Sequence, residues 1–238
     1  LRVIMYKKKK IAVIIPVLNE EDSIPLVLHD ISDYIDRVIV IDNGSTDNSA
    51  SVAKNNGAEV YRENNRGYGW ACLKGISQLK DEDIVVFLDG DYSDYPEKIP
   101  DLLDPIINEE YDFVVSNRFT TSLQKGAMSR PQVFGNKLSV FLIRLFWGYR
   151  YKDLGPLRAI KKNVLNILAM EDKNYGWTIE MQIKAIMKKL KIHQVDVPYR
   201  KRQLGKSKVS GTIMGVFKAG FKILWKIFYF GYLYKLKS

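Results

Sequence analysis

Two carboxylates one glycine apart, Asp89 and Asp91, end a run of apolar β-formers, Ile84-Val-Val-Phe-Leu-Asp-Gly-Asp91. A buried parallel strand ending there would deliver both to the carboxyl edge of a sheet, where α/β proteins place their ligands. Carboxylates held that close repel each other unless a cation lies beside them. A hard divalent ion, Mg²⁺ or Mn²⁺, would relieve that conflict and would also bind a diphosphate. A strand followed by an acidic turn explains this motif alone equally well. Three other turns bear on the question. In Ile15-Pro-Val-Leu-Asn-Glu-Glu21 the imide Pro16 should stop strand pairing and leave the backbone of residues 17–19 free for a ligand. In Ile41-Asp-Asn-Gly-Ser-Thr-Asp47, Asp42 is an acceptor suited to a base N–H or a ribose hydroxyl, and Gly44 permits a tight turn. In Asn65-Arg-Gly-Tyr-Gly-Trp-Ala71 two glycines precede a helix, a weak phosphate-loop signal.

The elements that must position these residues alternate along the first half of the chain. Apolar runs predict strands over residues 11–15, 37–42, 58–61, 83–88 and 112–116. Helical spacing predicts helices over 24–35, 47–55 (capped near Ser45 or Thr46), 68–79 and 96–109. Such alternation predicts an α/β fold with a parallel sheet covered on both faces. The second half reads as helices over 132–147, 162–170 and 178–189 and short strands over 157–160 and 192–197. An aromatic stretch punctuated by lysine fills 211–234.

Taken in order, these motifs resemble the inverting glycosyltransferases of family 2, and within them the dolichol-phosphate or polyprenol-phosphate sugar synthases. The resemblance spans roughly residues 10 to 212. It continues through Asn117-Arg-Phe119, Arg130 with Gly135-Asn136, Asp153-Leu-Gly-Pro-Leu-Arg-Ala159, Trp177-Thr-Ile-Glu180 and Arg202-Gln-Leu-Gly-Lys-Ser-Lys208. It implies the GT-A fold, a Rossmann-like, mostly parallel sheet, and a nucleotide-sugar donor. It implies a donor pocket formed by Pro16, Val17, Leu18, Glu20, Asp42, Gly44, Ser45, Gly69 and Gly90. Asp89 and Asp91 would hold Mg²⁺ or Mn²⁺, Asp91 most directly. Arg118, Arg130, Arg202 and Lys208 would meet phosphates, those of a polyprenyl or dolichyl phosphate acceptor included. Two positions depart from the pattern. Asn43 stands where a second Asp is common, and Ser93, followed by Asp94, stands where some relatives place a metal-shell Gln. No element of the kind used by processive polysaccharide synthases is present, which favours a single transfer; the alternative is the same donor chemistry on a soluble or glycan hydroxyl, which would need a base to take its proton.

Several later residues also have plain structural explanations. Asp153 and Arg158 read as an ion pair within a buried turn, Trp177 as core, and Glu180 as either an acceptor-orienting group or a surface charge. Cys72 is the single cysteine, so an internal disulfide and a cysteine zinc site are excluded. Residues 7–10 are basic, but the apolar run after them is too short for a signal peptide, and an intracellular protein is expected. Of the net charge of +10, residues 184–208 carry +8, nine Lys/Arg against Asp196. A basic run of this kind suits a polyanion. A nucleic-acid-binding module would use it, but no binding motif supports that and the acidic crevice would go unexplained.

Residues 1–210 are read as the catalytic domain and 211–238 as an appended helix. Lys218, Lys222 and Lys226 recur every four residues and form one stripe. Spanning a bilayer would cost roughly 2.5–3.5 kcal/mol for each lysine near its centre. The helix is therefore expected to lie on the cytoplasmic membrane face as a peripheral anchor, with lysines at the headgroups and aromatics buried; a helix packed on the domain itself or in a dimer interface is the alternative.

Overall fold

The computed structural model describes residues 6–205 and 213–235. Seven strands form one sheet in the order β3-β2-β1-β4-β6-β5-β7. β1 (Ile11–Val17), β2 (Arg37–Asp42), β3 (Glu59–Arg62) and β4 (Ile84–Phe87) are mutually parallel. β5 (Phe113–Asn117) and β7 (Ile192–Asp196) pair in parallel, and β6 (Arg158–Lys161) runs antiparallel between β4 and β5.

The central strands are apolar on both sides because both faces are covered. Ala12 and Ile14 join Ile39, Val85 and Phe87 in one core, whereas Ile11, Val13 and Ile15 join Val40, Ile84 and Val86 in the other. α1 (Ile24–Asp30), α2 (Ser49–Asn55) and α4 (Ile99–Asn108) supply the second core. α3 (Tyr68–Ser77), α5 (Arg130–Trp147), α6 (Lys162–Leu168), α7 (Trp177–Met187) and α8 (Ile213–Lys235) supply or flank the first.

From β1 the chain first builds outward through β2 and β3, then returns to place β4 on the other side of β1. The β1/β4 boundary is therefore a switch point, and the crevice outside its carboxyl ends is the expected ligand site. The reversed direction of β6 serves the same edge. The parallel strands bring the residues after their carboxyl ends to it, and β6 brings the residues before its amino end, 153–157.

Three local expectations need correction. β1 does not stop at Pro16 but pairs with β2 through Val17↔Asp42. The Ile14 carbonyl faces β4, accepting from Leu88 N–H, so by alternation the donor that Pro16 lacks also faces that side, where β4 has already stopped pairing. α2 starts later than expected, with Asn48 at its N-cap and no side-chain cap. α1 ends at Asp30 because Ile31 turns extended. Trp177 is core as expected, edge-on to Phe87 at 5.9 Å between ring centroids.

α8 packs against α5 and α7 rather than standing apart. The headgroup role expected for its lysine stripe does not hold for two of the three. Lys226 Nζ lies 3.2 Å from Asp172 and 3.1 Å from Glu180, and Lys222 Nζ lies 3.3 Å from Asp172. Buried carboxylates on the domain draw these lysines inward. Among the described residues no helix is long and apolar enough to cross a membrane.

Candidate active site

A cavity of about 650 Å³ opens at the carboxyl edge of the sheet. Pro16, Val17, Leu18 and Glu20 form one wall, after β1. Asp89, Gly90 and Asp91, after β4, form its floor. Arg118 follows β5, Leu154 and Pro156 precede β6, and Tyr199 and Arg202 follow β7. Of the residues expected at the site, these nine meet there: Pro16, Val17, Leu18, Glu20, Asp89, Gly90, Asp91, Arg118 and Arg202.

The other described ones stand further off. Asp42 is buried and its Oδ1 accepts from the Ser45 amide at 2.8 Å. Ser45 Oγ accepts from the Asn19 amide at 3.0 Å, which fixes the turn after β1. Gly44 adopts φ +85°, a conformation suited to glycine. Arg130 is exposed at the first turn of α5, close in sequence to Gln132, which does line the cavity. Lys208 lies outside the described residues.

Asn43 does more than its replacement of an acid implied. Its amide donates to the carbonyls of Asn65 (2.7 Å) and Glu63 (3.2 Å), and its Oδ1 accepts from Gly67 N–H at 2.7 Å. An aspartate would face two carbonyl oxygens. Asn43→Asp is therefore expected to destabilise the protein by about 1–3 kcal/mol and to weaken binding of UDP or GDP. Thermal melts beside calorimetry check this.

Gly67 and Gly69 have a packing role. A Cβ on Gly67 would lie 2.2 Å from the Lys173 carbonyl oxygen, and one on Gly69 would lie 2.0 Å from that of Asp172. The pair lets the 171–176 loop lie flush on the first turn of α3. Tyr68 between them donates to Asp89 Oδ1 at 2.9 Å.

Arg118 forms a bidentate pair with Asp153, at 2.7 and 2.9 Å. The expected Asp153–Arg158 pair is not formed. Arg158 instead donates to the carbonyls of Gly155, Pro156 and Thr178, closing the turn before β6. Arg202 reaches across the cavity, hydrogen-bonding Glu20 and placing Nε 3.6 Å from Asp91 Oδ2. Its segment is anchored by Arg200, which stacks on the rings of Tyr92 (3.4 Å) and Tyr95 (4.0 Å). Beneath the floor, Asp94 is 1% exposed and neither of its carboxylate oxygens has a hydrogen-bond partner. Burial first, then the charge on Asp89, pushes its carboxyl well above the ordinary carboxylate range.

Burial, followed by the charge on Asp91, also pushes Asp89 up to about 6. A divalent ion fits this pair. Both carboxylates reach one cavity, one is ionised at a cost, and the chain's own cation Arg202 already sits against the other. Among the described residues no third acidic, histidine or cysteine side chain completes a metal site. The rest of a coordination shell would come from a diphosphate and water, as is usual for Mg²⁺.

The shift of Asp89 has a stability consequence in metal-free protein. Its folded value lies above the ordinary value near 4, so the fold prefers the protonated form. Wild-type stability is then lost as pH rises from about 4 through about 6. Asp89→Asn, which keeps the acceptor for Tyr68, is expected to match the wild type at pH 4 and to melt higher at pH 8. A pH-independent difference in melting temperature would mean that Asp89 titrates normally.

Residues 12–168 match the family description "Glycosyl transferase family 2". The chain belongs to that family. The glycosyltransferase is 33% identical over 86% of its length to an uncharacterized glycosyltransferase of Mycobacterium tuberculosis, covering 92% of that protein. It is 30% identical over 92% of its length to the UDP-N-acetylglucosamine–dolichyl-phosphate N-acetylglucosaminyltransferase of Methanococcus voltae, covering 95% of it. An undecaprenyl-phosphate mannosyltransferase of Micrococcus luteus is 28% identical, with 87% and 90% covered. Among solved structures, glucosyl-3-phosphoglycerate synthase from M. tuberculosis, in complex with Mn²⁺, UDP-glucose and phosphoglyceric acid, superposes with a TM-score of 0.75 at 24% identity. That match covers 93% of this chain and 80% of the other, and it shows a shared GT-A fold.

Reasoning from sequence missed Tyr68, Asn174, Tyr175, Tyr199 and Gln132, which also line this glycosyltransferase's cavity. Only Tyr68 carried a signal, its place between two glycines.

Proposed function

We propose that this glycosyltransferase moves one sugar, with inversion, from a UDP- or GDP-linked donor to a polyprenyl or dolichyl phosphate at the cytoplasmic membrane face. The observation that carries the lipid acceptor is an exposed apolar surface running from the cavity rim. α5 starts at that rim and turns Phe134, Phe141 and Leu145 outward, each at least 60% exposed and spaced along one helix face. α8, packed on it through Phe146 and Phe228, turns Phe221 and Trp225 outward. An exposed apolar patch of this kind marks an interaction surface, and aromatics on a helix suit a lipid interface. Residues 211–238 then serve as the membrane-facing part of the protein, through Phe221 and Trp225. The names of the M. voltae and M. luteus relatives support the same acceptor class.

In this reading the turn at residues 16–18 seats the nucleotide. Asp89 and Asp91 would hold Mg²⁺ or Mn²⁺, which stabilises charge on the leaving diphosphate. Arg202 swings from Asp91 onto a phosphate oxygen. Arg118, held in fixed orientation by Asp153, keeps a positive charge on the cavity wall for the acceptor, with Arg130 at the rim and Lys208 as a further cation. A phosphate monoester has its second pKa near 6 and attacks as a dianion at neutral pH, so no side chain needs to act as base. Leu154, Tyr175 and Tyr199 exclude water from the reacting centre.

The test is a turnover panel. UDP-glucose, UDP-N-acetylglucosamine and GDP-mannose are each offered with polyprenyl phosphate in detergent or with phosphoglyceric acid, with and without Mn²⁺. Transfer to the lipid phosphate with one donor is expected. Transfer only to the soluble phosphate would replace the lipid reading.

A further inference from the structure

Lys226 and Lys222 are bound to the same short loop that closes one wall of the cavity. That loop, residues 171–176, is shaped by two buried carboxylates. Asp172 Oδ1 accepts from the amides of Asn174 (2.8 Å) and Gly176 (3.0 Å). Glu180 accepts from the amides of Glu171 (2.9 Å) and Asp172 (2.7 Å). Both are almost fully buried, so each needs a cation. α7 provides one, Lys184, 2.7 Å from Glu180. The others come from α8: Lys226 bridges Asp172 and Glu180, and Lys222 reaches Asp172. Burial raises Asp172, but the Asn174 amide and the Lys226 and Lys222 ammonium groups outweigh it and hold the carboxyl below its ordinary value.

From this loop the contacts run directly to the reacting edge. The Lys173 carbonyl accepts from Trp70 N–H at 3.1 Å, and the Lys173 ammonium lies 4.4 Å from the centroid of the Trp70 ring. The glycines at 67 and 69 leave no slack in that seam. The same turn carries Tyr68 to Asp89, while Asn174 and Tyr175 of the loop line the cavity themselves.

We infer that Lys226, assisted by Lys222, is a positioning residue for sugar transfer, a strut by which α8 holds the 171–176 loop and, through it, the Tyr68–Asp89 contact. It rests on the reading of this cavity as the transfer site. Two lysines of the stripe, Lys222 and Lys226, are thereby an internal device of the enzyme, while Phe221 and Trp225 of the same helix face outward.

The experiment uses the full chain with Lys226→Met, Lys226→Arg and, as a stability control on the opposite core, Leu103→Ala. Amide hydrogen exchange is followed in segments 66–71 and 171–176 of the metal-free protein. Turnover is then measured with the donor and acceptor that the wild type uses. Lys226→Met should speed exchange in both segments by about 10-fold. It should lower kcat by roughly 10- to 100-fold with donor KM little changed, because misplacement by about 1 Å acts on the transition state. Lys226→Arg should restore both. Leu103→Ala should lower the melting temperature without selective exchange in either segment. Unchanged exchange in Lys226→Met, or equal selective exchange in Leu103→Ala, would overturn the strut. Selective exchange with full turnover would overturn its positioning role. Selective exchange in Lys226→Met, with a wild type that transfers no sugar, would leave the strut standing and remove the transfer reading.

Discussion

Asp91→Asn is expected to lower sugar transfer by about 10²–10³-fold, the loss typical when one electrostatic partner of a developing charge is removed. The substitution keeps the side chain's size and removes the charge that Arg202 balances in the resting site. Asp91 Oδ1 accepts from the Ser93 amide at 3.0 Å, and an asparagine carbonyl can accept there as well. The turn should survive, and the melting temperature should stay within a few degrees of wild type. The deciding pair of measurements is turnover across a Mn²⁺ titration beside a thermal melt. Near-normal turnover with the wild-type metal response would remove Asp91 from the reaction. A collapsed melting temperature would instead show that its charge holds the fold.

Arg202→Ala is expected to be nearly as damaging to turnover. Each charge-assisted contact to phosphate contributes roughly 1.5–3 kcal/mol, which corresponds to about 10- to 150-fold. Arg202 also has a role before substrate arrives, because it lies between Glu20 and Asp91. Its removal leaves two neighbouring carboxylates without their shared cation. Binding of Mn²⁺ alone should therefore become tighter in Arg202→Ala while transfer falls. Lysine should restore the charge but only part of the rate, since it lacks the planar fork that spans two acceptors. Calorimetry with Mn²⁺, with UDP and with GDP, set against turnover, separates the effects. Weaker Mn²⁺ binding in the alanine variant would mean that Arg202 supports the acidic pair and does not compete with a metal there.

The central strands were legible because β1, β2, β4 and β5 each contain a short run of β-branched residues bounded by turn chemistry, and that pattern is local. The acidic pair was legible for the same reason: Asp89 and Asp91 directly follow an unmistakable buried strand. What was not legible is which distant groups meet. Asp153 could have paired with Arg158, five residues on. It pairs with Arg118 because β5 ends beside the turn that precedes β6, a consequence of sheet order that no local pattern carries. Glu180 sits at a helical position that fits a surface charge equally well. One of its two cations, Lys226, comes from α8, which begins more than thirty residues later. The lysine stripe has the spacing of an interfacial helix, and the spacing cannot reveal that Asp172 and Glu180 wait on its inner side. Asn43 illustrates a subtler limit, because its value lies in two donors whose acceptors are carbonyls some twenty residues away.

The place of β6 also governs the order in which the chain can be assembled at the ribosome. The strands β3-β2-β1-β4 are complete once Phe87 has emerged, but the free edge of β4 pairs only with β6, which begins at Arg158. β5 and β7 gain their place in the sheet only through that same strand. About seventy residues must therefore be synthesised while β4 has no neighbour on that side, an interval of several seconds at roughly 5–20 residues per second. An open apolar edge of that duration is a site for pairing with other nascent chains. The production of this protein is thus most vulnerable while residues 88–158 are being translated, and slow decoding of that stretch should lower its soluble yield more than slow decoding elsewhere.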